Sequence, residues 1–116
     1  MLAAVNTLTK QKDYEKVEKE GTLYQSANFG VCILDREDDD HTRFGFVISK
    51  KISKLATQRN RIKRAFRDAF RYNLNRIKKG YDVVVLAKPS LEKILVDDIM
   101  KEVDMFVKNS ILYKNS

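Results

Sequence analysis

One cysteine, one histidine, one proline, four glycines and no tryptophan leave this 116-residue chain without the parts on which many small proteins depend. Cys32 alone closes no intrachain disulfide and no Cys-x-x-Cys metal knuckle, and His41 alone assembles neither the usual zinc sites nor a His-based nucleophile. Composition thus argues against a self-sufficient metalloenzyme or triad hydrolase. No apolar run approaches the roughly 18–20 residues of a membrane span, and the opening MLAAVNTLTKQKDYEK is too poor in apolar residues for a secretory core. The chain is therefore read as soluble and cytoplasmic. Gly/Ser/Pro-rich linkers, repeats and low-complexity tracts are also missing, so residues 1–116 are expected to form one compact unit.

What the chain does have is charge, and the charge is segregated. Residues Arg43 to Lys79 carry 13 Lys/Arg against one acid, Asp68, a net of +12 within a chain whose total is +7, so the remainder is −5. Mixed-sign surfaces give solubility without such crowding of like charge, so a polyanion is the expected partner. A membrane surface is the weaker choice, because the apolar faces are needed for the core. Nucleic acid leads, against the plainer alternative of a solvated basic face.

Apolar spacing predicts the elements. Thr9 to Glu20 reads as a short helix with Thr9 as N-cap, Tyr14 and Val17 on one face, and Gly21 as its stop. A short strand is expected over Thr22–Gln25. Phe29 to Leu34 reads as a strand ended by the acidic stretch Asp35 to Thr42, and Arg43 to Ser49 alternates with Phe44, Phe46 and Ile48 on one face; together they suggest a hairpin. Gln58 to Lys79 shows the clearest helical period, with Ile62, Ala65, Phe66, Ala69, Phe70, Leu74 and Ile77 inward and Gly80 ending it. Lys63, Arg67 and Arg71 then stack along one side, and Arg64 and Asp68 stand at i, i+4. Tyr81 to Ala87 is a continuous apolar strand closed by Pro89, making a βαβ crossover with parallel strands. A last helix is expected over Leu91 to Lys108, with Leu91, Leu95, Ile99, Val103, Phe106 and Val107 toward the sheet. The order α-β-β-β-α-β-α describes an α+β two-layer sandwich, with helices on one mixed sheet.

The stretch KKISKLATQRNRIKRAFRDAFR, Lys50 to Arg71, carries the chemistry. Placing Arg59, Asn60 and Arg61 at the opening of the helix joins free N–H groups and the positive dipole end to two guanidinium forks, with Asn60 as a cap or an RNA contact. Cations there oppose the dipole by a few tenths of a kcal/mol each, which suggests a ligand that offsets the cost. Cys32 reads as a small core residue. The acids from Asp35 to Asp40 read as a solvated loop tip rather than a Mg²⁺ site, with His41 exposed beside them. A protein-based nuclease needs paired acid and base groups, which one histidine at a loop tip does not supply.

These residues resemble the protein subunit of bacterial ribonuclease P. The resemblance rests on Ser49, Lys50 and Lys51 ending an alternating strand, followed by Arg59, Asn60, Arg61, Ile62, Lys63 and Arg64. It extends to KDYEKVEKEG near the front, KKGYDVVVLAKP after the long helix, and LYKNS at the end, in family order. It implies a left-handed βαβ crossover, of the fold type of the second domain of a small-subunit ribosomal protein, where chain chirality alone favours a right-handed one.

The resemblance further implies a catalytic RNA that cleaves the 5′ leader from precursor tRNA with Mg²⁺, the protein serving as its accessory subunit with no catalytic residue, metal site or cofactor of its own. The implied partners are that RNA and precursor tRNA, with no membrane and no DNA. Catalytic-RNA binding falls to Arg59, Asn60, Arg61, Lys63, Arg64, Arg67 and Arg71. Leader binding, in a cleft between the sheet and the first helix, falls to Tyr14, Lys50, Lys51 and Lys88. Of the other rings near that cleft, Phe29, Phe44 and Phe46, most are expected in the core. Two positions depart from the family pattern: Glu18 stands where a second aromatic is common, and Cys32 where a strand aromatic is common. The competing readings are a general or ribosome-associated RNA chaperone, which binds many RNAs alike, and an intrinsic nuclease.

Overall fold

The computed structural model describes residues 2–114. Helix α1 (Gln11–Glu20) is followed by strands β1 (Thr22–Gln25), β2 (Phe29–Asp35) and β3 (Arg43–Val47), helix α2 (Ala56–Asn73), strand β4 (Tyr81–Ala87) and helix α3 (Val96–Lys108). This is the expected α-β-β-β-α-β-α order, around one four-stranded sheet ordered β1-β2-β4-β3. β1 pairs with β2, and β2 with β4, antiparallel; β3 pairs with β4 in parallel, so β3-α2-β4 is the predicted crossover.

The hairpin suggested for β2 and β3 does not form, because β4 lies between them. The reason is in the side chains. VVV in β4 is buried on both faces, and only a central strand covers both faces and both edges. Phe29, Val31, Ile33, Phe44, Phe46, Val83 and Val85 meet Ile62, Phe66 and Phe70 of α2 and Ile99, Val103 and Val107 of α3 in the main core. Cys32 and Val84 point the other way, and with Leu8 and Val17 they form a smaller core beneath α1. The sandwich therefore has α2 and α3 on one face of the sheet and α1 on the other.

The acidic segment 36–42, which carries the chain past the start of β4, is organised by Arg36. Its guanidinium pairs with Asp38 at 3.0 Å and with the buried Asp82, and donates to the carbonyls of Tyr81, Asp40 and His41. Arg43 reaches the same carboxylate, at 2.7 Å, from β3. Gly80 sits beneath this loop with φ +93°, where any Cβ would strike the Asp38 carbonyl. His41 is exposed and Cys32 buried, as read from the sequence.

Element ends differ from the sequence reading for local reasons. α1 begins at Gln11, its N-cap being Lys10 and not Thr9, without a side-chain cap. β3 ends at Val47, and Ser49 instead accepts a turn hydrogen bond from Ile52 N. α2 ends at Asn73, whose buried amide donates to Ala69 O and Asp104 Oδ1. Beyond it, Lys78 N donates to Leu112 O and Lys114 N to Arg76 O. Pairing with the C-terminal segment thus replaces the last helical turns, although Ile77 still reaches the core. Pro89–Lys93 form a separate short 3-10 turn, α3 starts only at Val96, and Leu95, expected inside, is 71% exposed as its N-cap.

Glu102 of α3 fastens the turn between β1 and β2. Burial alone raises its carboxyl pKa, but donation from Ser26 Oγ, Asn28 N at 2.9 Å and Asn28 Nδ2 at 2.7 Å outweighs this and holds it below the ordinary carboxylate value. A pKa lowered by folding adds stability above the unfolded-chain value that disappears as pH falls through the folded one. The melting temperature of the wild type is therefore expected to fall more steeply below about pH 5 than that of Glu102→Gln. Parallel melting curves against pH for the two proteins would remove this role from Glu102.

Candidate nucleic-acid interface

α2 carries its cations on the side away from the core, and these cations fan out toward two grooves. Arg59, Asn60 and Lys63 border a cleft of about 380 Å³ that they share with Gln11 and Tyr14 of α1 and with Phe46, Val47 and Ile48. Asn60, Arg61, Arg64 and Asp68 border a second groove of about 450 Å³, closed by Thr57, Ala65 and Val96. The consecutive Arg-Asn-Arg residues thus diverge: at about 100° per residue, Arg59 and Arg61 turn to opposite flanks and Asn60 stands exposed between them.

The expectation that these three residues open the helix is corrected. α2 begins at Ala56, with extended Leu55 as N-cap, and both Gln58 N and Arg59 N already donate to Leu55 O at 3.1 Å. Asn60 is therefore an interior helical residue and not a cap. Arg59 folds back over the preceding turn, donating from Nη1 to Ser53 O at 2.9 Å and Lys54 O at 3.1 Å. Arg61 donates from Nε to Gln58 Oε1 at 2.9 Å and leans toward Ile94 O at 3.5 Å. Both guanidiniums are half-buried, and the hydrogen bonds described for them go to neutral oxygens. Arg64 and Arg71 are exposed, Lys63 and Arg67 half-buried. The described ion pairs of Arg36 and Arg43, to Asp13, Asp38 and Asp82, lie outside this helix.

The cleft lies at the end of edge strand β3. Upstream, the chain covers that edge, with Leu8 N donating to Phe44 O at 2.9 Å; the cleft opens where this cover stops. Tyr14 is half-buried there, and its hydroxyl donates to Leu8 O at 3.3 Å. Its ring lies flat enough on β3 that a Cβ at Gly45 would come within 2.5 Å of the Tyr14 ring atoms, so the glycine makes room for the aromatic. Phe46 also borders the cleft, yet its ring is stacked at 5.9 Å on Phe66 inside the core. Phe29 and Phe44 are fully buried. Tyr14 is thus the ring of that set that remains accessible.

The four residues expected at the leader site do not sit together. Lys50 and Lys51 are exposed in the turn that follows the cleft wall, while Lys88 lies apart, its Nζ donating to Ser26 O at 2.7 Å. Arg59 and Lys63, expected on the other RNA surface, also line the cleft with Tyr14. Sequence reasoning passed over Gln11, Ile48 and Gly45, although an isolated glycine within an alternating strand is itself a sign of close approach. It also passed over Tyr72, which stands exposed beneath the Arg71 guanidinium. Among the described residues, no three or more Asp, Glu, His or Cys side chains converge in a way that would hold a metal ion. No helix of the structure is long and apolar enough to cross a membrane.

Comparison with known proteins agrees with this architecture. The family described as Ribonuclease P matches residues 2–110. A ribonuclease P protein component of Fusobacterium nucleatum is 36% identical over 110 residues, covering 91% of this chain and 97% of the relative. That of a Pseudanabaena species is 36% identical over 120 residues, covering 99% and 100%. Among solved structures, the RNase P protein of Staphylococcus aureus superposes with a TM-score of 0.86 at 26% identity, covering 94% of this chain and 98% of that one. That of Thermotoga maritima gives 0.79 at 29% identity, covering 90% and 96%. A match along almost the whole chain, in sequence and in fold, shows that this protein belongs to the ribonuclease P protein component family.

Proposed function

We propose that the chain is the accessory protein of a ribonuclease P ribonucleoprotein, binding the catalytic RNA through the cations of α2 and the single-stranded 5′ leader of precursor tRNA in the cleft beside Tyr14. The observation that carries this reading is that Tyr14, Arg59, Asn60 and Lys63 border one cleft, which puts a stacking surface and phosphate-binding cations side by side. Single-stranded RNA is held by that combination, an aromatic face for the base and positive charge along the backbone. Arg59, between the cleft and the outer side of α2, joins Arg61, Arg64, Arg67 and Arg71 in contacting the catalytic RNA, and Lys50 and Lys51 extend the positive rim of the cleft. Lys88, already hydrogen-bonded to Ser26 O, contributes charge at longer range.

The protein's share of the reaction is electrostatic. Two polyanions must approach, and each neutralised phosphate removes repulsion that Mg²⁺ would otherwise have to screen. Bond cleavage is left to the RNA, since the cleft holds no paired acid and base. The test is a cleavage assay of precursor tRNA at low Mg²⁺ with protein alone, catalytic RNA alone, and both. Cleavage in the mixture alone supports the proposal, cleavage by protein alone makes it a nuclease, and equal binding to unrelated RNAs without stimulation makes it a chaperone. In the same assay, Tyr14→Ala is expected to narrow the preference for precursor over mature tRNA by about fivefold or more, with Tyr14→Phe close to wild type. An unchanged preference takes Tyr14 out of the leader site.

A further inference from the structure

We infer that Tyr72, held by Arg71 at the far end of α2, is a stacking platform for an unpaired nucleobase of the RNA partner, so that the RNA footprint on this helix ends in a base contact rather than in phosphate contacts alone. The inference rests on the proposed reading of α2 as an RNA-binding surface and adds the chemistry of one contact to it. Aromatic bookkeeping singles this residue out. Of the five tyrosines and six phenylalanines, all but Tyr72 are buried in, or packed against, one of the two cores. Tyr72 is 67% exposed, and folding gains little from it.

Its position and its neighbour are the second observation. The Arg71 guanidinium carbon lies 5.1 Å from the Tyr72 ring centroid, within cation–π range. This contact orients the ring and places positive charge over one of its faces, so that a base stacked on the other face would have its phosphate close to a cation. The following residues continue the pattern, with Arg76, Lys78 and Lys79 all exposed. Cations at this C-terminal end are favoured by the helix dipole, so they need no ligand to be tolerated. Arg59 and Arg71 are twelve residues apart, about 18 Å along the axis at 1.5 Å per residue. A strand crossing that length meets phosphate-binding cations throughout and one open π-face at the end. A nucleobase is the occupant that matches both features, since stacking on an aromatic is indifferent to base identity and compatible with a cation on the opposite face of the ring.

The experiment compares the full chain with Tyr72→Ala, Tyr72→Phe and Arg71→Ala in binding to the ribonuclease P RNA over a range of salt concentrations, with Arg59→Ala as a reference. Tyr72→Ala is expected to weaken binding by about fivefold to a hundredfold with the salt dependence unchanged, and Tyr72→Phe to stay within about twofold of wild type. Arg71→Ala should lower the salt slope by just under one phosphate contact. Because Tyr72 lies outside both cores, its variants should melt as wild type does. If Arg59→Ala weakens binding while Tyr72→Ala stays within about twofold, the stacking contact is wrong and the RNA reading of α2 stands. If Tyr72→Ala changes the salt slope and Tyr72→Phe fails to restore affinity, the residue acts on phosphate and stacking is again overturned. If neither Arg59→Ala nor Tyr72→Ala matters, the RNA reading of α2 falls and the inference with it.

Discussion

Replacing Arg59 and Arg61 together by alanine is expected to weaken association with the catalytic RNA by about a hundredfold at moderate salt. Each guanidinium that grips a phosphate through charge-assisted hydrogen bonds contributes about 1.5 kcal/mol, or tenfold. With roughly five phosphates contacted, the wild-type log K should fall by about 3.5–4.5 per decade of salt, and the double variant should lose roughly two contacts' worth of that slope. The structure adds a control. Arg59 also ties Ser53 and Lys54 to the first turn of α2, so Arg59→Ala should cost some local order before the helix, whereas Arg61→Ala mainly loses a bond to Gln58. Lysine at both sites keeps the charge and loses the fork; an intermediate affinity with a wild-type salt slope is therefore expected. Binding assays of the five proteins check this. Unchanged affinity of the double alanine variant at moderate salt would end the role assigned to these residues.

The second large effect concerns folding. Asp82→Ala is expected to destabilise the protein by about 3–5 kcal/mol, as breaking a buried ion pair does when the partner charges stay behind. Asp82 is 4% exposed and receives both the Arg36 and the Arg43 guanidinium. Removing it leaves two partly buried cations facing each other and releases the 36–42 loop. Against a total of roughly 5–15 kcal/mol for a protein of this size, the loss should lower the melting temperature by about 10–20 °C. Asp82→Asn keeps one acceptor and should lie between wild type and alanine. Thermal melts of the three proteins decide the matter, and an alanine variant melting within a few degrees of wild type would show that the cluster contributes little. Helix α2, proposed to bind RNA, lies elsewhere, so affinity measured well below the melting temperature should be spared.

Legibility followed the range of the interaction. Tyr14, Val17, the alternating Phe44 and Phe46, and the inward stripe Ile62–Ala65–Phe66–Ala69–Phe70 were readable because side-chain period reports on burial within one element. The parallel β3-α2-β4 unit was readable because a helical pattern lay between two strands. The β2–β3 hairpin was misread because an acidic turn between two strands looks alike whether they pair or pass on either side of a third. Boundaries failed where a partner distant in sequence competed with the helix, as Leu112 and Lys114 do beyond Asn73. Leu95 was misplaced because the helical period was carried through a 3-10 turn that Pro89 begins.

By itself the sequence determined that a strongly basic helix would exist and that its cations would lie opposite an apolar stripe. These are properties of composition and of a 3.6-residue period, which act within a few turns of chain. Only the tertiary structure decided that Tyr14 meets Arg59 and Lys63 in one cleft, that Lys88 is drawn away to Ser26, and that Tyr72 alone among the rings is left outside both cores. Those outcomes depend on which strand takes the centre of the sheet and which face each helix covers. That choice is made by packing the whole apolar set at once, and no local pattern contains it.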